Sequence, residues 1–436
     1  MNTSHEYVDR RAFLRRAGLA VGAATAVPLL GGLPSTASAA TGSWPDADPD
    51  RLLQEGRFAE AERGFRRRLH TDPEDAHAAA QVGYICLLSN RFTDAERYLS
   101  RAVSLAPEDT YSKQQLADCF VRRDRHARAV PWLRALGNDF GDAYAALYAS
   151  MAGVAWQVRG VESTRIPMVA LEPLPFLEAR VNGGEPRRFF LDTGATLALS
   201  RRVADEAGLR AVSTLTGSGG GQTIKLYLGV MDSFALGGIE VRNVPVVWHE
   251  ADMPDLPDGS ASAGAIGTTL FYHFLTTMDY ANRALVLRRR TPEQLRRVRA
   301  EARLARAEKL PLWLAGDHFP CTLGSLRDYG PKVVSLDTGG QRVGIVTTVE
   351  IAERAGIEVD YANPEFFNGK QVFPITPDQI SLGRAVGHDV RGVAGPLLVD
   401  SRFKFRTIAN FTHNFFKPFA ITFDFVDMNL YIAEAS

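Results

Sequence analysis

The sequence predicts a multidomain protein: an α-helical repeat region followed by a mainly β region built as two similar lobes. Two spacings carry that prediction. Arg57, Arg91 and Arg125 recur every 34 residues, as do Ala61, Ala95 and Ala129, and Pro73 and Pro107 repeat the step. A fixed period of that length marks stacked helix pairs. Further on, Leu191-Asp192-Thr193-Gly194 returns 145 residues later as Leu336-Asp337-Thr338-Gly339. Phe274-Leu275-Thr276-Thr277-Met278-Asp279-Tyr280 is echoed by Phe419-Ala420-Ile421-Thr422-Phe423-Asp424-Phe425 at the same offset. Two landmarks at one offset indicate an internal duplication. Composition agrees with a globular chain of two to three domains: 436 residues, 45% apolar, with 50 basic and 50 acidic side chains. That balance gives no electrostatic case for nucleic acid.

The N-terminus reads as an address. Asp9-Arg10-Arg11-Ala12-Phe13-Leu14-Arg15 precedes an Ala/Gly/Leu/Val-rich run from Ala17 to Leu33, and Ala37-Ser38-Ala39 offers a small-residue cleavage site. The stretch resembles a twin-arginine export signal over residues 1–39, which implies an extracellular or cell-envelope protein. No later apolar run is long enough to span a membrane, so none is expected once the signal is removed. Cys86, Cys119 and Cys321 have no metal-ligand spacing, and the first two fall in the helical region, where burial is expected. The nine histidines form no His-Glu-x-x-His motif. No metal and no cofactor is expected.

Residues 46–150 carry the 34-residue period. Gly83, then Ala95, Leu99, Ala102 and Pro107, match the tetratricopeptide pattern of small residues where helices cross. Proline ends the second helix of a unit. A concave face on such an array would be lined by His77, Ala80, Tyr84 and Leu87, then by Tyr111, Gln114, Asp118 and Val121. That face could receive a protein partner or pack on the rest of the chain. Gly153 to Thr164 reads as a linker.

From Ile166 the pattern becomes strand-like. The first lobe is expected over 166–289. Phe176-Leu177-Glu178-Ala179-Arg180-Val181 alternates toward a turn at Asn182-Gly183-Gly184. Arg188-Phe189-Phe190-Leu191 leads into Asp192, and a short helix from Ser200 to Ala207 stops at Gly208. The glycine run through Gly219, Gly220 and Gly221, followed by a β-patterned Thr223 to Val230, suits a hairpin flap. No Gly-Lys-Ser/Thr follows, which disfavours a phosphate loop. A helical linker is expected over 290–309, its apolar Leu295, Val298, Ala302 and Ala305 at helical spacing. The second lobe is expected over 310–436, where Ile351-Ala352-Glu353-Arg354-Ala355-Gly356-Ile357 parallels Val203-Ala204-Asp205-Glu206-Ala207-Gly208-Leu209.

The paired apolar-apolar-Asp-Thr-Gly motifs resemble the pepsin and retropepsin superfamily of aspartic peptidases, in a bacterial two-lobed form covering residues 166 to 436. The resemblance implies a two-lobed aspartic-peptidase-like fold with Asp192 and Asp337 as the catalytic pair. Two carboxylates held close cannot both ionise and so share one proton. One then takes a proton from a trapped water while the other protonates the carbonyl oxygen or the leaving nitrogen. Thr193, Gly194 and Thr196, with Thr338 and Gly339, would support the dyad, the threonine hydroxyls tying the two loops together. Gly219 to Gly221 would close over an extended peptide. Ala265-Ile266-Gly267 matches a second landmark, a glycine that lets a strand pass behind the catalytic loop.

The second lobe departs from the pattern. Gly340 and Gln341 stand where Ala or Ser and then Ser or Thr are usual, and rebuilding that pattern with Gly340→Ala and Gln341→Thr is expected to lower the pH optimum. Val393-Ala394-Gly395 has the landmark's character but the wrong offset, which places Thr412 opposite Gly267. No plain glycine-rich flap precedes it. The expected function is therefore an exported aspartic endopeptidase acting on a peptide or protein substrate. The alternatives are an inactive peptidase-like module that binds peptides, and a dyad completed by a second chain. Each lobe having its own β core, a chain starting near Gly160 is expected to fold without the helices.

Overall fold

The computed structural model describes residues 47–219, 222–251, 253–367, 369–396 and 403–434. The export signal expected over 1–39, and Gly220 and Gly221 of the expected flap, lie outside the described residues.

Residues 49–150 form helices α1 (Pro49–Gln54), α2 (Phe58–Thr71), α3 (Ala76–Leu88), α4 (Phe92–Leu105), α5 (Thr110–Val121), α6 (His126–Arg134) and α7 (Asp139–Ser150). The 34-residue period has a local cause at each landmark. Arg57, Arg91 and Arg125 are the residues that open α2, α4 and α6. Asp75 and Asp109 cap α3 and α5, accepting backbone N–H groups of Ala78 and Tyr111. Ala61, Ala95 and Ala129 are fully buried where helices cross. A Cβ on Gly83 would stand 2.6 Å from Leu99 Cγ, so α3 and α4 touch only because position 83 has no side chain.

The remainder is mainly β. The first unit holds β1 (Gln157–Gly160), β2 (Ser163–Pro167), β3 (Phe176–Val181), β4 (Arg187–Asp192), β5 (Ala198–Ser200), β6 (Ser213–Gly219), β7 (Gln222–Leu236), β8 (Ile239–His249), β9 (Gly264–Gly267), β10 (Phe274–Asp279) and β11 (Ala284–Arg289), with short helices α8 (Arg201–Glu206) and α9 (Thr268–Phe271). After α10 (Pro292–Leu304) come β12 (Glu308–Pro311), β13 (Trp313–Ala315), β14 (Phe319–Leu326), β15 (Tyr329–Asp337), β16 (Ile345–Thr347), α11 (Val349–Arg354), β17 (Glu365–Phe367), β18 (Lys370–Ile375), β19 (Gln379–Leu382), β20 (Ala385–His388), β21 (Gly392–Ala394), β22 (Asn410–Thr412), α12 (His413–Phe416), β23 (Phe419–Asp424) and β24 (Asn429–Glu434). The stretch read as a linker is partly a strand: β1 pairs antiparallel with β8, and its half-exposed edge position explains its weak apolar pattern.

The two units repeat one topology. β4 runs parallel to β9 with Asp192 opposite Gly267, and β15 runs parallel to β22 with Asp337 opposite Thr412. In each unit the next strand, β5 or β16, leads into a capped helix. Ser200 accepts from Val203 N–H at α8, and Thr348 accepts from Ile351 N–H at α11. A six-stranded sheet ordered β12-β24-β23-β10-β11-β2 joins the units. At its centre Thr277 faces Thr422, its own counterpart 145 residues on, and their hydroxyls are 2.8 Å apart. A residue facing its own repeat marks a local twofold axis. Helix α10 covers this sheet through Val298, buried with Leu275 and Tyr431.

The helices do not stand apart from the β units. Phe58 packs edge-on against Trp313 and Phe405, at 4.8 and 5.0 Å between ring centroids. The Arg122 guanidinium donates to Leu87 O and Leu314 O, both at 2.8 Å. Arg406 N–H donates to Gln54 O, and Lys404 lies over the Tyr111 ring. One apolar core contains Phe65, Tyr84 and Leu87 of the helices together with Phe319, Cys321, Val333 and Phe405 of the second unit. Of the two uses open to the concave face, packing on the rest of the chain is the one seen, and the shared core bears directly on whether the β units fold alone. Phe319, Val333 and Phe405 belong to both, and each such side chain contributes about 1.5–3 kcal/mol when fully buried. A chain starting at Gly160 should aggregate or bind a hydrophobic dye, whereas the chain from residue 47 should elute as a compact species. Size-exclusion chromatography with dye fluorescence checks this.

Candidate active site

Asp192 ends β4 and Asp337 ends β15, so each carboxyl is carried on a buried strand that turns immediately afterwards. The two turns are bolted together. Thr193 N–H donates to Thr338 Oγ1 and Thr338 N–H donates to Thr193 Oγ1, both at 3.0 Å. Each hydroxyl passes its own proton on across the interface: Thr193 Oγ1 donates to Leu336 O at 2.9 Å, and Thr338 Oγ1 to Leu191 O at 3.2 Å. Both threonines are almost wholly buried. A hydroxyl can accept one bond and donate another, which is why this position takes threonine and not valine.

The glycines complete the pairing. Gly194 N–H donates to Asp192 Oδ1 at 2.8 Å, and Gly339 N–H to Asp337 Oδ1 at 2.9 Å. Each glycine also lies against the other unit's carboxyl. A Cβ on Gly194 would stand 2.8 Å from Asp337 Cγ, and one on Gly339 would collide with Asp192 Cγ. The absence of a side chain lets the carboxyls meet. Their closeness has an electrostatic result: Asp192 is held well above the usual carboxylate range. Burial is the main cause, followed by the charge of Asp337 and a hydrogen bond shared with it, while the Gly194 N–H acts in the opposite direction. Behind the turns, the buried Tyr280 hydroxyl is pushed above its ordinary range, first by burial.

The surroundings of the two aspartates differ. Asn410, at the start of β22, donates its side-chain amide to Asp337 Oδ2 at 3.0 Å. Ser335 Oγ donates to the amide oxygen of Asn410 at 2.8 Å. Sequence reasoning missed both residues. Writing the halves at the 145-residue offset, Ala265 over Asn410 and Phe190 over Ser335, shows the substitution. Among the described residues no hydrogen bond joins Thr196 to Asp192, nor Gln341 to Asp337, so the support expected from Thr196 is not found. The backbone carbonyl of Thr196 instead faces Gly267.

The departures at Gly340 and Thr412 explain one another. In the first unit a Cβ on Gly267 would strike Ala195 O; in the second a Cβ on Gly340 would stand 2.6 Å from Thr412 Cβ. Each strand crosses behind its turn with one small residue at the contact, and the two units place it on opposite sides. Gly395 is not the landmark: β21 pairs with β16 and β18. The second unit also has a hairpin where the first has β6–β7. β18 pairs with β21 as β7 pairs with β8, and Phe366 on β17 is 80% exposed. The Asn368-Gly369 turn signal marks that hairpin in the sequence. Of the expected flap, Gly219 ends β6, pairing with Gln222. No cluster of three metal-ligating side chains occurs among the described residues.

Comparison with known proteins supports the reading of the first unit. Residues 177–270 match the aspartyl protease family model, a span from β3 to α9 that contains Asp192 and Gly267. No curated protein matches the chain. Among solved structures, a mutant O-GlcNAc transferase of Thermobaculum terrenum is 22% identical at a TM-score of 0.20, covering 20% of this chain and 17% of that one. At that score the likeness carries no argument.

The exchange at the crossing is testable. Gly340→Ala, alone or with Gln341→Thr, should destabilise the protein by about 1–3 kcal/mol through overpacking against Thr412, rather than simply retune the site. Adding Thr412→Gly should restore most of the loss, as thermal denaturation would show.

Proposed function

We propose that the protein is an exported aspartic endopeptidase in which Asp192 and Asp337 share one proton and activate water to hydrolyse a peptide bond. The observation that carries this reading is the joined pair of turns: Thr193 and Thr338 hold the two aspartates, while Gly194 and Gly339 leave room for the carboxyls to meet. The match of residues 177–270 to the aspartyl protease model supports it independently. The ionised carboxyl accepts a proton from water as the water oxygen attacks the scissile carbonyl carbon. The protonated carboxyl gives its proton to the carbonyl oxygen. Both aspartates come from one chain in this reading, so no partner subunit is required. The β6–β7 hairpin, whose first strand ends at Gly219, and the β17–β18 hairpin carrying Phe366 would flank an extended peptide. The helices form a tetratricopeptide-like array that braces the second lobe.

Asp192→Asn and Asp337→Asn should each lower peptide hydrolysis by about 10²–10⁴-fold or more, because each removes one half of the acid–base pair. The losses should not add in the double variant. The pH profile should be a bell. Activity rises as the first carboxyl ionises, and falls as rising pH removes the retained proton. Because the Asp192 carboxyl is raised, that second limb should lie above the ordinary carboxylate value of about 4. A digest of a peptide library by the full chain across pH reads all of this. Peptide binding without hydrolysis at any pH would give the inactive-module reading instead.

The export proposal rests on Arg10 and Arg11 before Phe13 and Leu14. Replacing both arginines with lysine should leave precursor inside the cell, and immunoblots of cell and medium fractions check it.

A further inference from the structure

The twofold relation between the units makes every difference beside the dyad visible. Opposite each other on the parallel strands behind Asp337 stand Ser335 and Asn410; behind Asp192 the same two places hold Phe190 and Ala265. Counted among the described residues, Asp337 therefore has two donors besides its partner, Gly339 N–H on Oδ1 and the Asn410 amide on Oδ2. Asp192 has one, Gly194 N–H, and an apolar wall of Phe190 and Ala265, which are 7% and 4% exposed. The Ser335 hydroxyl bonded to the amide oxygen turns the NH₂ group of Asn410 toward Asp337. An amide N–H favours a carboxylate over a carboxylic acid, while an apolar wall disfavours charge.

We propose that Asn410 decides which carboxyl keeps the shared proton, holding Asp337 as the ionised base and leaving the proton on Asp192. The inference rests on the aspartic-dyad reading and divides its labour. Asp337 takes the proton of water as the water oxygen bonds to the carbonyl carbon, and the carbonyl oxygen takes the proton of Asp192. In the collapse, Asp337 returns its proton to the leaving nitrogen as the carbon–nitrogen bond breaks. Asp192 recovers a proton from the diol, so the dyad ends as it began. Asn410 touches neither water nor substrate in this scheme and acts through Asp337, which makes it a positioning residue. It also stands in for the hydroxyl donor that Gly340 and Gln341 do not provide.

Tyr280 stays neutral over the working range. His413, on α12 beside Tyr280, is lowered to about 4, mainly by burial and then by Lys417, with Glu172 opposing. Its protonation could produce an acid limb of its own, so the test also reads the carboxyls directly.

Aspartate labelled with ¹³C at the carboxyl, titrated by NMR in the full chain, gives the order of ionisation, with Asp192→Asn and Asp337→Asn assigning the two signals. Asp337 should ionise first. In Asn410→Leu the lower step should rise by about one pH unit, since a hydrogen bond to a charged group is worth roughly that much. The upper step should move little, because Asn410 stabilises the Asp337 anion equally before and after the second proton leaves. The acid limb of peptide hydrolysis should rise by the same amount. Ser335→Ala, which frees the amide to turn, should shift the lower step in the same direction but less, and it serves if Asn410→Leu does not fold. Ionisation of Asp192 first in the wild type, or a lower step unmoved in the folded variants, overturns the inference. If the carboxyls titrate as expected but no peptide is cleaved, the peptidase reading fails and the proton assignment stands.

Discussion

The structure depends on the four hydrogen bonds through Thr193 and Thr338. Each threonine hydroxyl accepts the backbone N–H of its counterpart and donates to the carbonyl of the penultimate residue of the opposite β-strand. In water such bonds contribute little net, but here both hydroxyls are buried, and an unpaired buried amide costs about 1–3 kcal/mol. Losing one hydroxyl strands the partner's N–H as well as its own carbonyl contact. The pair is thus stable only when both units are present and in register. Thr277 and Thr422 repeat that logic in the shared sheet, where one twofold position again bonds to its own copy. Two such points on one axis fix how the strands carrying Asp192 and Asp337 approach. The proton sharing follows from that approach and from the missing side chains of Gly194 and Gly339.

Away from the axis the units were free to diverge, provided that each change was met locally. The contact between turn and crossing strand needs one small residue. The first unit supplies it on the strand as Gly267, the second on the turn as Gly340, and Thr412 fills the space so released, donating to Val343 O at 2.5 Å. The Ser335 and Asn410 pair is a divergence of another kind, because it alters charge rather than shape. A symmetric dyad has no reason to place its proton on one side. A single amide on one side gives it one, without disturbing the threonine bonds that hold both.

What could be read in the sequence was what identical residues at a fixed spacing reveal. Asp192 and Asp337 were legible because their turns are copied whole, and Ser200, Gly208 and the helix between them because capping chemistry is local. Asn410 was not, although it stands at the matching offset. Its meaning comes from a parallel strand pairing with residues far earlier in the chain, and no local pattern records that pairing. Thr412 was not legible as the crossing residue for a related reason: the requirement is for room, which either the strand or the turn can provide. The β17–β18 hairpin has its signal in the dipeptide Asn368-Gly369 of the sequence rather than in a glycine-rich run.

The helical region was legible as a repeat, but what covers its inner face was not. Periodicity shows that helix pairs stack, but it does not show what lies on their inner face. Tyr84, Leu87 and Tyr111 suit a peptide groove and a domain core equally well, since both are apolar surfaces with a few polar tips. The deciding residues are Phe319, Phe403 and Phe405, which in sequence resemble any other strand or loop aromatics. In the structure Phe403 stacks on Phe405, and Phe405 meets Phe58. Phe403 and Phe405 lead into β22, the strand that carries Asn410. The helices thus hold the segment that delivers Asn410 to Asp337. Along that segment Ile408 N–H is bonded to Val333 O and Ser335 N–H to Ala409 O. That arrangement gives the helical region a structural role beside the site.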